Sequence, residues 1–244
     1  ANRLVVVQPT LSILSRATTE ASRFPIHRIY CVGRNYVEHA IEMGGNPTRD
    51  PPCFFQKPAD AATDTSTTDN KRCIIPYPPM TNNLHHEIEL VVAIGTPGRN
   101  ISKQDAKQHI FGYAIGCDLT RRDLQAKAKE LRRPWDDAKG FDYSAPCSSI
   151  VPCEELKDFV GDAASVNIKL EVNGELRQES SIAKMIWDVP EIVSCLSKYY
   201  TLKAGDLILT GTPAGVGPLE VGDVVKASCD ELPDCIFEVG PMEL

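Results

Sequence analysis

Short runs of apolar, β-branched and aromatic residues recur along the chain at 29–32, 90–94, 111–117, 166–172, 207–210, 224–228 and 236–239, most of them bounded by Gly, Pro, Asn or Asp. Such side chains pack well on a pleated surface and the flanking residues favour turns, so the pattern predicts many short strands. Helical periodicity is clear only at 103–109, 119–131 and 184–199, and briefly at 36–43. Strands do not alternate with helices as a doubly wound sheet requires, and the predicted class is β-rich α+β. The stretch 59–83, rich in Thr, Asp and Pro, reads as a long surface connection, and no internal repeat is visible.

A chain of 244 residues holds one large domain, or one domain with a short appendage. We expect an N-terminal strand or extension over 1–28 and a single catalytic domain over 29–244. Residues 4–7 read as a first strand. The first 28 residues also hold Arg3, Arg16, Arg23 and Arg28 against one acid, Glu20, a composition shared with mitochondrial transit peptides. With 33 acidic and 26 basic side chains the net charge is −7, so the overall field repels polyanions. No nucleic-acid or membrane partner is expected, and an anionic substrate needs local cations to hold it. No apolar run approaches the roughly 20 residues of a membrane-spanning helix. The nine cysteines are scattered with no C-x-x-C pair, which fits a reducing intracellular compartment, mitochondrial or cytosolic.

Within LHHEIELVVAIG (84–95), strand alternation places Glu87, Glu89 and Val91 on one face and Ile88, Leu90 and Val92 on the other. The two carboxylates point the same way with Cα atoms about 7 Å apart. They face water or share a cation, and oxygen ligands suit a hard ion such as Mg²⁺ or Mn²⁺. Asp118, which ends the run 111–117, is placed to supply a third carboxylate. Each acid taken alone reads as a solvated surface group, and the spacing by itself does not carry a metal site. His85 and His86 face opposite sides of a strand and lack the i, i+4 spacing of a helical zinc site, so both read as structural or rim residues.

In GRNYVEHAIEMGG (33–45), Asn35 can cap a helix, Glu38 can complete a capping box, and Gly44–Gly45 can stop it. His39 and Glu42 lie three apart and share a face, so the carboxylate can orient the imidazole as in a general base. A surface ion pair is the alternative, and a helix this short can also serve as a mobile lid.

Taken in order, the motifs resemble the fumarylacetoacetate hydrolase superfamily from about residue 29 to 238. They are IYCVGRNYVEHAIE (29–42), FQKP (55–58), HEIELVVAIG (86–95), FGYAIGCDLTRRD (111–123), AKGFD (138–142), VNGELRQ (172–178) and GDLILTGTPAGVG (205–217). The resemblance is strongest to the short acylpyruvase and oxaloacetate decarboxylase branch. It implies a rolled mixed sheet with flanking helices, assembled as a homodimer. It also implies Glu87, Glu89 and Asp118 as ligands of Mg²⁺ or Mn²⁺, His39, Glu42 and Lys139 as catalytic groups, and Arg122, Gln125 and Thr212 as substrate contacts. Arg122 and Lys139 would supply the cations that an anionic 2-oxo acid needs in an acidic protein. TGTPAGVG lacks the Lys-Ser/Thr ending of a phosphate loop and reads as a tight turn presenting Thr212. Gln56 and Pro146–Cys147–Ser148–Ser149 depart from the family pattern, and an altered pocket rim is expected from them.

The implied activity is metal-dependent hydrolysis of the C–C bond of acylpyruvates, decarboxylation of oxaloacetate, or both. Water activated by His39 would attack the distal carbonyl, and the metal and Lys139 would stabilise the pyruvate enolate that leaves. Two alternatives differ in kind: isomerisation or decarboxylation of 2-hydroxyhepta-2,4-diene-1,7-dioate, and a non-catalytic metal-binding regulatory module.

Overall fold

The computed structural model describes residues 7–16, 22–42, 44, 50–66, 72–156, 159 and 166–243. An eight-stranded mixed sheet forms its centre, ordered Cys53–Lys57, Arg28–Gly33, Asp206–Leu209, Ile88–Ile94, Ile110–Cys117, Ala145–Cys147 and Ala62–Asp64, with Val151–Pro152 also pairing to Ile110–Cys117. Asp206–Leu209 runs parallel to Arg28–Gly33 and antiparallel to Ile88–Ile94. A second sheet runs Glu175–Ser181, Asn167–Val172, Val224–Cys229, Cys235–Gly240 and Cys73–Pro76. A three-stranded sheet joins Thr120–Arg121, Leu84–His86 and Gly217–Leu219.

Every residue of Ile88–Ile94 is buried. Leu90, Val92 and Ile94 face the larger core, shared with the five-stranded sheet through Ile168, Leu170 and Phe237. Val91 and Ala93 face a second core closed by Leu11, Phe24 and Ile26. Those last residues come from, or directly follow, the hairpin Thr10–Ile13 and Ser22–Pro25, which covers the other face of the central sheet. Burial on both sides explains why ELVVAI loses its polar alternation after Glu89. Each large side chain so buried contributes about 1.5–3 kcal/mol. Residues 4–6 of the expected first strand lie outside the described residues, and Val7 is not in a strand.

Among the described residues four helices flank the sheets: α1 (Val37–Glu42), α2 (Arg122–Glu130), α3 (Asp136–Lys139) and α4 (Val189–Tyr199). In α4, Val189, Ile192, Val193 and Leu196 form the buried stripe, and Asp188 and Glu191 form a reciprocal capping box. That cap explains why the helix begins at 189, although periodicity suggested 184. The segment 103–109 yields only a 3₁₀ turn, Ala106–His109, because Ala106 alone is buried and no apolar stripe supports a longer helix. The expected helix 119–131 starts at Arg122, since Thr120–Arg121 pair with Leu84–His86. The stretch 59–83 is not simply a surface connection: Ala62–Asp64 and Cys73–Pro76 take part in sheets.

The capping box expected at Asn35 does not form. Asn35 is buried and ties two other segments together, its Nδ2 donating to Trp187 O (2.9 Å) and Thr210 O (2.8 Å) and its Oδ1 accepting from Trp187 N (2.8 Å). Tertiary partners outcompete the local cap. Gly44, at φ +71°, follows α1 in the left-handed backbone suited to a helix end, while Gly45 lies outside the described residues.

Candidate active site

Strand pairing gathers the three acids. Ile88 pairs with Cys117 across the antiparallel ladder, so Glu87 and Asp118 meet at its end, where Asp118 N–H donates to Glu87 O at 2.8 Å. Glu89 follows one pleat on. All three side chains are buried, and ligand oxygens of the trio lie within 4.8 Å of one another.

Cations converge from three other elements. Lys139, the last residue of α3, is 2% exposed and donates to Glu87 Oε2 (2.8 Å) and Asp118 Oδ2 (2.6 Å). Arg122, at the start of α2, donates to Glu87 Oε1 (2.5 Å) and to Gln125 Oε1 (2.7 Å). Lys57 ends Cys53–Lys57 with its ammonium 2.7 Å from Asp118 Oδ1 and donates to the carbonyls of Leu119 (3.1 Å) and Lys139. Burial raises the Glu87 carboxyl, yet Lys139 and Arg122 outweigh it and hold the group far below the usual carboxylate range. Lys139 is likewise desolvated, but Asp118 and Glu87 keep it above its ordinary value.

Glu89 differs from its neighbours. Burial, reinforced by Asp118 and Glu87, pushes its carboxyl well up. It accepts the Gly211 N–H at 2.6 Å, but no lysine or arginine pairs with it among the described residues. Asp118 Oδ1, although close to Lys57, receives no directed hydrogen bond. Two buried carboxylates thus keep unfilled acceptor capacity beside a third, and this all-oxygen donor set fits a hard divalent ion such as Mg²⁺ or Mn²⁺.

His39 lines the same cleft as Glu87, Asp118, Arg122 and Lys139. Its Nδ1 lies 3.1 Å from Glu42 Oε2, and Glu42 Oε1 accepts the Gly215 N–H at 3.2 Å, which ties α1 to the turn after Asp206–Leu209. Burial lowers the imidazole below its ordinary value, only partly opposed by Glu87 and Glu42, which favours the neutral form. Gly211 adopts φ +100°, and a Cβ there would lie 2.5 Å from Asn35 Cβ. Only glycine allows that approach, which delivers both its N–H to Glu89 and Thr212 to the cleft.

The structure therefore brings His39, Glu42, Lys139, Arg122, Gln125, Thr212, Glu87, Glu89 and Asp118 into one region. His86 is buried against Gln178 (2.9 Å), and His85 stands at the rim beside Asn83 and Arg122. Sequence reading left Lys57 and Gln178 without a role. Gln178 accepts Ile88 N–H (3.1 Å) and donates to Thr212 Oγ1 (2.8 Å), leaving the Thr212 hydroxyl hydrogen to point elsewhere. Both residues sit in motifs quoted above, FQKP and VNGELRQ, which were the available signal. The expected rim change at Pro146–Ser149 does not occur, because that segment is buried at the central sheet and lines no part of the cleft. Gln56 borders a neighbouring depression with Arg133 and Tyr200, across Phe55 and Trp135 from the acids.

Comparison with known proteins follows the same lines. Residues 28–240 match the family described as Fumarylacetoacetate (FAA) hydrolase C-terminal. The chain is 40% identical over 207 residues to oxaloacetate tautomerase YcgM of Escherichia coli (strain K12), covering 85% of this chain and 90% of that protein. It is 40% identical over 211 residues to the mitochondrial oxaloacetate tautomerase FAHD1 of Mus musculus, covering 86% and 90%. The crystal structure of fumarylpyruvate hydrolase from Pseudomonas aeruginosa in complex with Mn²⁺ and pyruvate superposes with a TM-score of 0.90 at 42% identity, covering 99% of each chain. A match this long, with relatives covered almost end to end, leaves one assignment: the chain belongs to the fumarylacetoacetate hydrolase family.

Proposed function

We propose that the chain is a divalent-metal-dependent enzyme that hydrolyses the C–C bond of acylpyruvates and decarboxylates oxaloacetate. The observation that carries this reading is the position of a buried His39, backed by Glu42, in the same cleft as Glu87, Asp118 and the cations Lys139 and Arg122. A divalent ion held by Glu87, Glu89 and Asp118 would supply Lewis-acid polarisation of the 2-oxo group and a template for the adjoining carboxylate.

The chain's own residues account for the proton and charge movements. With Nδ1 turned to Glu42, His39 keeps Nε2 as the basic nitrogen and takes a proton from water as the water oxygen bonds to the distal carbonyl carbon. The C–C bond then breaks, its electron pair remaining on pyruvate as an enolate while the acyl fragment leaves as a carboxylic acid. Lys139, fixed between Glu87 and Asp118, places positive charge beside the developing enolate oxygen. His39 returns a proton to the enolate carbon. Arg122 and the Thr212 hydroxyl orient the substrate carboxylate, with Gln125 holding Arg122.

Loss of CO₂ from oxaloacetate leaves the same enolate and needs no attacking water. A second reading, oxaloacetate tautomerisation, is favoured by the names of two relatives. It uses the same base to move a proton between carbon and oxygen. The family assignment and the complete base–acid constellation support catalysis over a purely regulatory module. Product analysis of the metal-loaded protein with acetylpyruvate, oxaloacetate and 2-hydroxyhepta-2,4-diene-1,7-dioate tests the proposal: pyruvate from the first two is expected, and turnover of the third alone would overturn it. We also take the active form to be an intracellular homodimer, mitochondrial or cytosolic, which light scattering and cell fractionation test.

A further inference from the structure

Gln178 is a polar residue where a sheet would bury an apolar one. It is 1% exposed in Glu175–Ser181, while Leu176 of the same strand is 54% exposed. Leu170 pairs with Gln178 but Glu171 pairs with Leu176, so the register shifts by one residue and Arg177 has no counterpart. A shift of this kind re-aims side chains, here leaving Gln178 in and Leu176 out, an exchange that sheet packing alone disfavours. Both acceptor and both donor positions of the buried amide are used. Oε1 lies 3.1 Å from Ile88 N and 2.9 Å from His86 Nδ1, and Nε2 lies 2.8 Å from Thr212 Oγ1 and 2.9 Å from Pro213 O. A backbone N–H only donates and a carbonyl only accepts, so the amide fits in one orientation alone. Thr212 Oγ1 must therefore accept from Gln178, and its own hydrogen has no acceptor among the described residues. Thr212 is 2% exposed and lines the cleft.

We infer that Gln178 is a positioning residue that fixes the polarity of Thr212, making its hydroxyl a one-way donor to the substrate carboxylate. This rests on the reading above that Thr212 meets that carboxylate. A threonine hydroxyl left to itself rotates and can turn a lone pair toward an anion. One that already accepts from a buried amide presents its hydrogen before substrate arrives, and binding then needs no reorientation. A carboxylate only accepts, so it supplies the one hydrogen bond that the network leaves unmade. His86 belongs to the same chain: because Gln178 Oε1 only accepts, the imidazole carries its hydrogen on Nδ1, which places this histidine behind the cleft that it does not line.

The test is a double-mutant cycle read calorimetrically on Mn²⁺-loaded protein, with pyruvate as the ligand. Gln178→Glu keeps the shape and both contacts of Oε1 but leaves at most one hydrogen for two acceptors, so the Thr212 hydroxyl can turn its hydrogen away from the cleft. It should weaken pyruvate binding about tenfold, the usual scale of one hydrogen bond to a charged group. On a Thr212→Val background the same change should cost less than about threefold, whereas Thr212→Ser, which keeps the hydroxyl, should keep the full effect. Gln178→Met completes the same cycle if Gln178→Glu does not fold. Mn²⁺ affinity should stay within about threefold throughout. Equal weakening with and without the Thr212 hydroxyl, or no weakening by either Gln178 variant, overturns the role. So does a loss of Mn²⁺ affinity that matches the loss of pyruvate, since Gln178 would then serve the acids through Ile88 instead. Wild type that binds no pyruvate overturns the reading of the cleft as well. Coupling lost while pyruvate still binds overturns this role alone, and failure of acylpyruvate cleavage leaves the cycle readable.

Discussion

Glu89→Gln should have opposite effects on the protein with and without its metal. The ligand oxygens of Glu87, Glu89 and Asp118 lie within 4.8 Å of one another, and at an effective dielectric of about 20 two unit charges at that distance repel by about 3 kcal/mol. Lys139, Lys57 and Arg122 offset this for Glu87 and Asp118, whereas Glu89 has one backbone N–H. Its folded-state pKa is therefore raised well above the ordinary 4.5. In metal-free protein the folded form then holds a proton that the unfolded form has lost, and stability falls as pH rises above about 4.5. The slope is about 1.4 kcal/mol per pH unit until the folded pKa is passed. Glutamine cannot ionise and removes that slope.

For a chain of this size about 1 kcal/mol corresponds to 2–4 °C in Tm, so above about pH 5 the wild-type melting curve should drop relative to Glu89→Gln by about 3–6 °C for each pH unit until the folded pKa is passed. The assay is thermal unfolding in chelator across a pH series, taking the difference between variants so that titrating groups distant from the site cancel. Adding Mn²⁺ acts in the opposite direction: at a hundred times its dissociation constant an ion stabilises wild type by about 2.7 kcal/mol, and the variant, lacking one charged ligand, gains much less. Parallel Tm–pH lines in chelator, or equal stabilisation by Mn²⁺, would refute the reasoning.

Three further outcomes follow from the same geometry. His39→Ala should leave Mn²⁺ affinity near normal but lower acylpyruvate hydrolysis on the order of a hundredfold, with decarboxylation affected less because it needs no activated water; equal losses would identify α1 as a lid instead. The acid limb of kcat/KM should fall below 6.5, because burial depresses His39, and Glu42→Gln should move it lower still by removing an interaction that favours the imidazolium; a limb above 6.5 would contradict this. Lys139→Met should lower kcat even at saturating substrate, by about tenfold or more if its charge acts on the enolate, and unchanged kcat and KM would place it outside the chemistry.

The parts of the fold legible in the sequence were those whose signals are local. Arg28–Gly33, Val224–Cys229 and Cys235–Gly240 fall where apolar runs end at turn residues, and their bounds differ from the reading by only a residue or so. Strands such as Ala62–Asp64, Thr120–Arg121 and Ala145–Cys147 were not legible. They are too short to show a period, and each exists because a partner distant in sequence offers it a ladder, as Ala145 does for Ala62. The helix expected at 103–109 failed for the converse reason, since a local pattern with one buried residue found nothing to pack against.

The same division runs through the site. Glu87 with Glu89, His39 with Glu42, and Arg122 with Gln125 are pairs two or three residues apart, so strand or helix geometry alone puts them side by side. Lys57 has no such signature. Its strand shows the burial order exposed, half-buried, half-buried, exposed, buried, and what takes the place of water around its ammonium is the pair of carbonyls from Leu119 and Lys139, 62 and 82 residues away. Charge balance nevertheless demanded some such residue. Three carboxylates gathered at a dry strand end cannot stay ionised without cations close by, and each lysine buried there must in turn find acceptors for its remaining protons. Lys57 meets both demands at once, compensating Asp118 while clamping the carbonyl at the end of α3, so the residue that balances the charge also fixes where Lys139 can reach.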